Sequence, residues 1–154
     1  MMPTGPAANT GGCRDDSPSA LPLCGPEDLA MTVHWERGGA GLRGQVIARN
    51  IGARACRLAG KPAITPLALD GTALPAQTLI TLEMLHPGYV VLQPGQRAAA
   101  SLGWGSWCGQ QAADRVRVNW GSGVAVADVH GPVQPQCSPG RPSNLSSSWF
   151  HVIQ

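Results

Sequence analysis

Glycine and proline punctuate this chain along its whole length, 20 of one and 14 of the other in 154 residues. Both weaken helix interiors, glycine through backbone entropy and proline by removing a donor and clashing with the preceding turn. Both are favoured in turns. Long helices are therefore excluded as the main building material, and a domain of short strands joined by many turns is expected. With 43% apolar residues the chain can form a core, and its length suits one domain of ordinary size.

The hydrophobic pattern agrees. After Cys24, residues Leu29, Met31, Val33 and Trp35 fall on one face, with Thr32 and His34 on the other, the period-two signal of a half-buried strand. Glu36 to Gly41 reads as a turn and Leu42 to Asn50 as a second strand. Further strands are expected at Cys56–Leu58, Ala63–Leu69, Thr72–Leu74, Thr78–Met84, Tyr89–Leu92, Arg97–Trp104, Arg115–Trp120, Gly123–Asp128 and Ser147–Ile153. Asp70-Gly71 is a hairpin signal, and Gln93-Pro94-Gly95-Gln96 a turn signal. About eight to ten short strands without an amphipathic helix predict an all-β, antiparallel, immunoglobulin-like β-sandwich. Residues 1–23, polar and without periodicity, read as a disordered leader or tether, and residues 24–154 as the sandwich domain.

Only 13% of the residues are charged and the net charge is +2, which excludes a nucleic-acid binder built on a basic stripe. Lys61 is the single lysine beside ten arginines, a bias that fits a GC-rich genome. There is no apolar run of about 18 residues, so no membrane span is expected. Met1 to Gly12 lacks the basic start and apolar stretch of a secretory signal. An exported form of this chain is expected to have its signal upstream or replaced.

The cysteines favour export. Cys13, Cys24, Cys56, Cys108 and Cys137 are widely scattered, without the two-to-four-residue gap of a zinc knuckle or the two-residue gap of a redox pair. Scattered cysteines in a Gly/Pro-rich domain read as structural disulfides, which persist in an oxidising, extracytoplasmic compartment. Arithmetic alone leaves their pairing open and one cysteine odd. Cys13 follows Thr10-Gly11-Gly12. Small residues before a cysteine are what a lipoprotein cleavage site offers, so Cys13 is a candidate lipid anchor with residues 14–23 as spacer, against the alternative of a free exposed thiol.

Other motifs have plainer readings. Gly39-Ala40-Gly41-Leu42-Arg43-Gly44 matches G-x-G-x-x-G, but a strand-like segment follows where a dinucleotide site needs a helix, so a hairpin loop is expected. His34, His86, His130 and His151 show no chelating spacing; a copper or zinc site would have to assemble across strands, with Met31, Met84 or a free cysteine. No G-x-S-x-G elbow is present. Glu36, Glu83, Asp114 and Asp128 are the carboxylates left for glycosidase-type chemistry, and nothing selects a pair among them. Trp35, Trp104 and Trp120 end apolar alternations and are expected in the core. Trp107, between Ser106 and Cys108 in a Gly-rich loop, is expected to be exposed and is the candidate binding-surface residue.

Several of these segments, taken in order, resemble a known family. They are Arg49-Asn50 followed by Cys56-Arg57-Leu58-Ala59-Gly60-Lys61-Pro62, then Leu69-Asp70-Gly71, then Val91-Leu92-Gln93-Pro94-Gly95-Gln96-Arg97-Ala98, then Leu102-Gly103-Trp104, flanked by Cys24, Cys108 and Cys137. Over about residues 24–152 the chain resembles a secreted β-sandwich domain of unknown function from high-GC Gram-positive bacteria, whose members are often lipid-anchored or exported. Lys61 stands where tyrosine or phenylalanine is commoner in that family. The resemblance brings no activity, catalytic residue or cofactor. Members with fewer cysteines keep the equivalents of Cys24 and Cys56, so it implies a Cys24–Cys56 bond, leaving Cys108 with Cys137. The expectation is an exported, non-enzymatic cell-envelope binding module, monomeric, whose partner is an envelope protein or glycan rather than nucleic acid. The alternative is an exported copper- or zinc-binding protein. No catalytic residue, cofactor or metal ligand set is assigned.

Overall fold

The structure, a computed structural model, describes residues 20–39, 41–76 and 88–153. Cys13, His86, Met84, Glu83 and the strand expected at Thr78–Met84 lie outside the described residues. A 3-10 turn, Pro26–Asp28, leads into strand β1, Leu29–Gly38, whose Leu29, Met31, Val33 and Trp35 point to the core as the alternation requires. The remaining strands are β2, Gly41–Asn50; β3, Cys56–Ala59; β4, Ala63–Ala68; β5, Tyr89–Leu92; and β6, Arg97–Trp104. They are followed by β7, Ala112–Asn119; β8, Val124–His130; β9, Leu145–Ser147; and β10, His151–Val152. No α-helix forms among the described residues.

The turns follow from local chemistry. Gly38 pairs with Gly41, so β1 and β2 are joined by a two-residue loop, and Gly39 supplies the positive φ of 64° that such tight hairpins need. The formal G-x-G-x-x-G is thus a hairpin and the start of β2. Its last glycine has a packing reason: a Cβ at Gly44 would run into the His34 carbonyl and stand 3.0 Å from the Trp35 ring. At the Gln93–Gln96 turn the Gln96 amide donates to the Gln93 carbonyl at 2.9 Å, with Pro94 and Gly95 at the two central positions. Asp70-Gly71 also turns the chain, though the returning segment makes an isolated bridge, Leu67 with Ala73, in place of a full strand.

The main sheet runs β10-β6-β2-β1-β8-β7-β4, with β9 also on β6; β3 and β5 pair separately. Its arms are antiparallel, but β1 and β8 are parallel, in the register Thr32 with Asp128, Val33 with Val129 and His34 with His130. Purely antiparallel pairing therefore gives way at one seam, and the sheet is mixed. The reason is that β1 has two partners. Its hairpin to β2 uses one edge, and its other edge is taken by β8, a strand nearly a hundred residues later that runs in the same direction.

The sheet closes over itself. Val33, Val46, Leu102 and Trp104 from one arm share a single core cluster with Ile64, Val116, Val118 and Ala127 from the other. The Ser147 hydroxyl donates to the Pro62 carbonyl at 2.7 Å, linking β9 at one end of the sheet to the residue before β4 at the other. Trp35 and Trp107 flank Trp104, with ring centroids at 6.4 and 6.0 Å. Buried side chains of this size contribute roughly 1.5–3 kcal/mol each and more with aromatic contacts.

Two disulfides fasten the layers, Cys24–Cys56 and Cys108–Cys137, the pairs the resemblance implied. The first is buried and the second exposed. Ordered pairing also begins slightly before Cys24. Leu23 bridges Arg57 in parallel, and the Arg57 amide and Nε donate to the carbonyls of Pro22 and Leu21, both at 2.8 Å. Part of the segment read as leader is thus tied to β3.

Candidate binding surface

Strand alternation gives β6 small outward-facing residues, Ser101 and Gly103. On β2 and β6 the core takes Leu42, Val46 and Ala48 together with Ala98, Ala100, Leu102 and Trp104. Arg43, Gln45, Ser101 and Gly103 face outward between them, and the register lines them up in rows across the sheet. One row is Glu36, Arg43, Gly103 and Ser146; the next is His130, His34, Gln45 and Ser101.

Gly103 leaves the centre of the first row without a side chain, and a Cβ there would stand 3.0 Å from the Ser146 hydroxyl. A polar trough results, crossing β2, β6 and β9, with a stretch of about 510 Å³ bounded by Arg43, Ser101, Gly103, Ser146 and Ser148. It continues over Gly41 and Gly105 to Arg141 and Asn144, and on the other side to His34, Glu36 and Gln45. Arg43 borders all three stretches. Ser148 braces the trough by accepting from the Ser101 amide at 2.8 Å. Two guanidinium groups, serine hydroxyls and a flat glycine floor suit a ligand that offers carboxylate, phosphate or hydroxyl oxygens.

Of the residues singled out from the sequence, His34 and Glu36 border the trough, and the other described ones fall elsewhere. Trp107 is buried at 7% exposure, against the expectation of an exposed ring. The neighbouring Cys108–Cys137 bond draws its loop onto the core, Trp104 covers the ring, and the indole N–H donates to the Gln110 carbonyl at 2.6 Å. A ring so covered offers no face for stacking. Trp35, Trp104 and Trp120 are buried as expected. Met31 is in the core, whereas Asp114, Asp128 and His151 are exposed on β7, β8 and β10. Among the described residues no group of three His, Cys, Asp or Glu is placed to hold a metal ion. The parallel seam brings His34 and His130 face to face, rings stacked at 4.9 Å and 17°.

Two polar residues are explained by structure alone. Asn50 is 1% exposed; its amide donates to the carbonyls of Arg54 and Leu92, and its oxygen accepts from the Gly52 amide at 2.8 Å. It knots the end of β2 to the 51–54 loop and to β5. At the β4 turn the Thr72 hydroxyl and amide donate to the Asp70 carboxylate and hold its pKa below the ordinary value.

Mixed pairing, a closed core and two disulfides define the class as a disulfide-stapled all-β domain. Residues 24–152 match the family described as a domain of unknown function, DUF4232, and the chain belongs to that family. No match among curated proteins accompanies it.

Proposed function

We propose that the domain is an extracytoplasmic binding module whose ligand lies in the trough over β2, β6 and β9. The observation that supports this is the Arg43–Gly103–Ser146 row, where a missing side chain opens the sheet surface beside a guanidinium and a hydroxyl. A rigid sheet presenting polar groups around a flat floor binds without rearranging, which lowers the ordering cost of association.

The two disulfides fit work in an oxidising compartment outside the cytoplasm. In this reading the protein acts in the cell envelope, with Cys13 as candidate lipid attachment. The ligand is an envelope glycan or protein rich in anionic or hydroxyl oxygens.

The test is site-specific photocrosslinking on intact cells. A photoreactive residue at Ser101, in the trough, is compared with one at Leu69, an exposed residue in the β4 turn. The expected result is an adduct at Ser101, absent at Leu69 and reduced about tenfold by Arg43→Glu. Equal adducts at both positions, or an adduct indifferent to Arg43→Glu, refute the assignment.

A further inference from the structure

His34 and His130 are 96 positions apart in the sequence, yet they are direct partners in the parallel β1–β8 register. Both are exposed, on the outer face. Their rings stack with centroids 4.9 Å apart and planes 17° from parallel. The Thr32 hydroxyl stands 3.2 Å from His34 Nε2, which leaves Nδ1 of that ring for another partner. A histidine that binds metal commonly engages its second nitrogen in such a hydrogen bond.

We infer that this pair is a two-nitrogen chelate for a divalent transition metal, with copper(II) the preferred ion. Metal–nitrogen bonds of about 2.0–2.1 Å bring two ligand nitrogens to roughly 3 Å of each other. Two imidazoles side by side on paired strands reach that separation by rotating their rings, with no movement of the backbone. Because both rings face solvent, the ion keeps water in its remaining positions and gives up only the waters that the two imidazoles replace. Imidazole suits copper, nickel and zinc, and the order of stability among divalent ions puts copper first. Asp128 lies on the same face two residues before His130, with Arg115 opposite it on β7, so the binding rests on the two imidazoles and not on a surrounding acidic field. Two protein ligands with open positions make a site that receives and releases metal, or shares it with a ligand supplied by a partner. His34 borders the far stretch of the trough, but Arg43 and the serines play no part in the chelate, so Arg43→Glu should leave copper binding in place.

Copper(II) titration by calorimetry, in a Cys13→Ser background that removes the thiol, tests it. One ion per chain is expected. His34→Ala and His130→Ala should each weaken binding at least about tenfold, and the double variant should be little worse than either, since losing one arm already abolishes chelation. His86→Ala and His151→Ala should leave affinity unchanged. In the chain with its histidines intact, zinc(II) should shift the imidazole NMR signals of His34 and His130 and leave those of His151 in place. A loss below tenfold in either single variant, an equal loss in His86→Ala or His151→Ala, or unshifted His34 and His130 signals would overturn the proposal.

Discussion

The two disulfides close loops of nearly equal length, with sequence separations of 32 and 29, so chain entropy alone gives each about 3.6 kcal/mol. Their surroundings are opposite. Cys24 and Cys56 are 0% and 1% exposed, whereas Cys108 and Cys137 are both on the surface. Replacing a buried cysteine by alanine removes a sulfur comparable to a buried methylene, about 0.8 kcal/mol, and leaves a void that adds to the loss. Two such sites add about 2 kcal/mol. Cys24→Ala/Cys56→Ala should therefore cost about 5–6 kcal/mol and Cys108→Ala/Cys137→Ala about 3–4, the first a large share of the 5–15 kcal/mol that holds a domain folded. Guanidinium unfolding of the two double variants measures the difference. Costs within about 0.5 kcal/mol of each other, or the reverse order, would refute the argument from burial. The same contrast predicts that mild reductant opens Cys108–Cys137 first, which peptide mapping after partial reduction reads directly.

Asn50→Ala strands a buried amide and two carbonyls, and should lower stability by about 2–4 kcal/mol in urea unfolding; a loss below about 1 kcal/mol would show that water replaces the side chain. The Asp70 carboxyl, followed by NMR, should titrate below the ordinary value near 3.9, and Thr72→Val should move it back towards that value. Because its folded pKa is lowered, the stability it contributes is present above the unfolded pKa and is lost as pH falls through the folded one. Deleting residues through Leu23 should cost about 1–2 kcal/mol, since Arg57 loses its two carbonyl partners at Leu21 and Pro22. A deletion without effect on the melting temperature would return those residues to the leader.

Features that depend on neighbours alone are legible in the sequence. The alternation Leu29–Trp35, the turn at Gln93–Gln96 and the bend at Asp70-Gly71 each depend on neighbours within a few positions, where side-chain period and φ preference decide the outcome. Strand ends are less legible. β7 begins at Ala112, three residues before the expected Arg115, because Ala112 and Ala113 are held by burial and not by any strand preference of alanine. Trp107 failed for a related reason. Its Gly/Ser-rich neighbours signal a loop, and a loop is ordinarily exposed, but the bond from Cys108 to Cys137 ties this one down over Trp104.

The surfaces that matter for binding were the least legible, and the register shows why. Arg43, Gly103 and Ser146 form one row although they come from three strands, and no spacing in the sequence links them. The histidines make the point more sharply. Judged by sequence spacing, His34 and His130 are isolated residues, and lone histidines are ordinarily surface or turn residues. They meet only because β1 pairs with β8 in parallel, a strand pair that departs from the antiparallel rule expected of such a chain. Had the seam been antiparallel about Val33 and Val129, His34 would have faced Asp128 and His130 would have faced Thr32, and no two imidazoles would share a row. The direction of a single strand pair thus decides whether this outer face carries a chelate or two unrelated histidines.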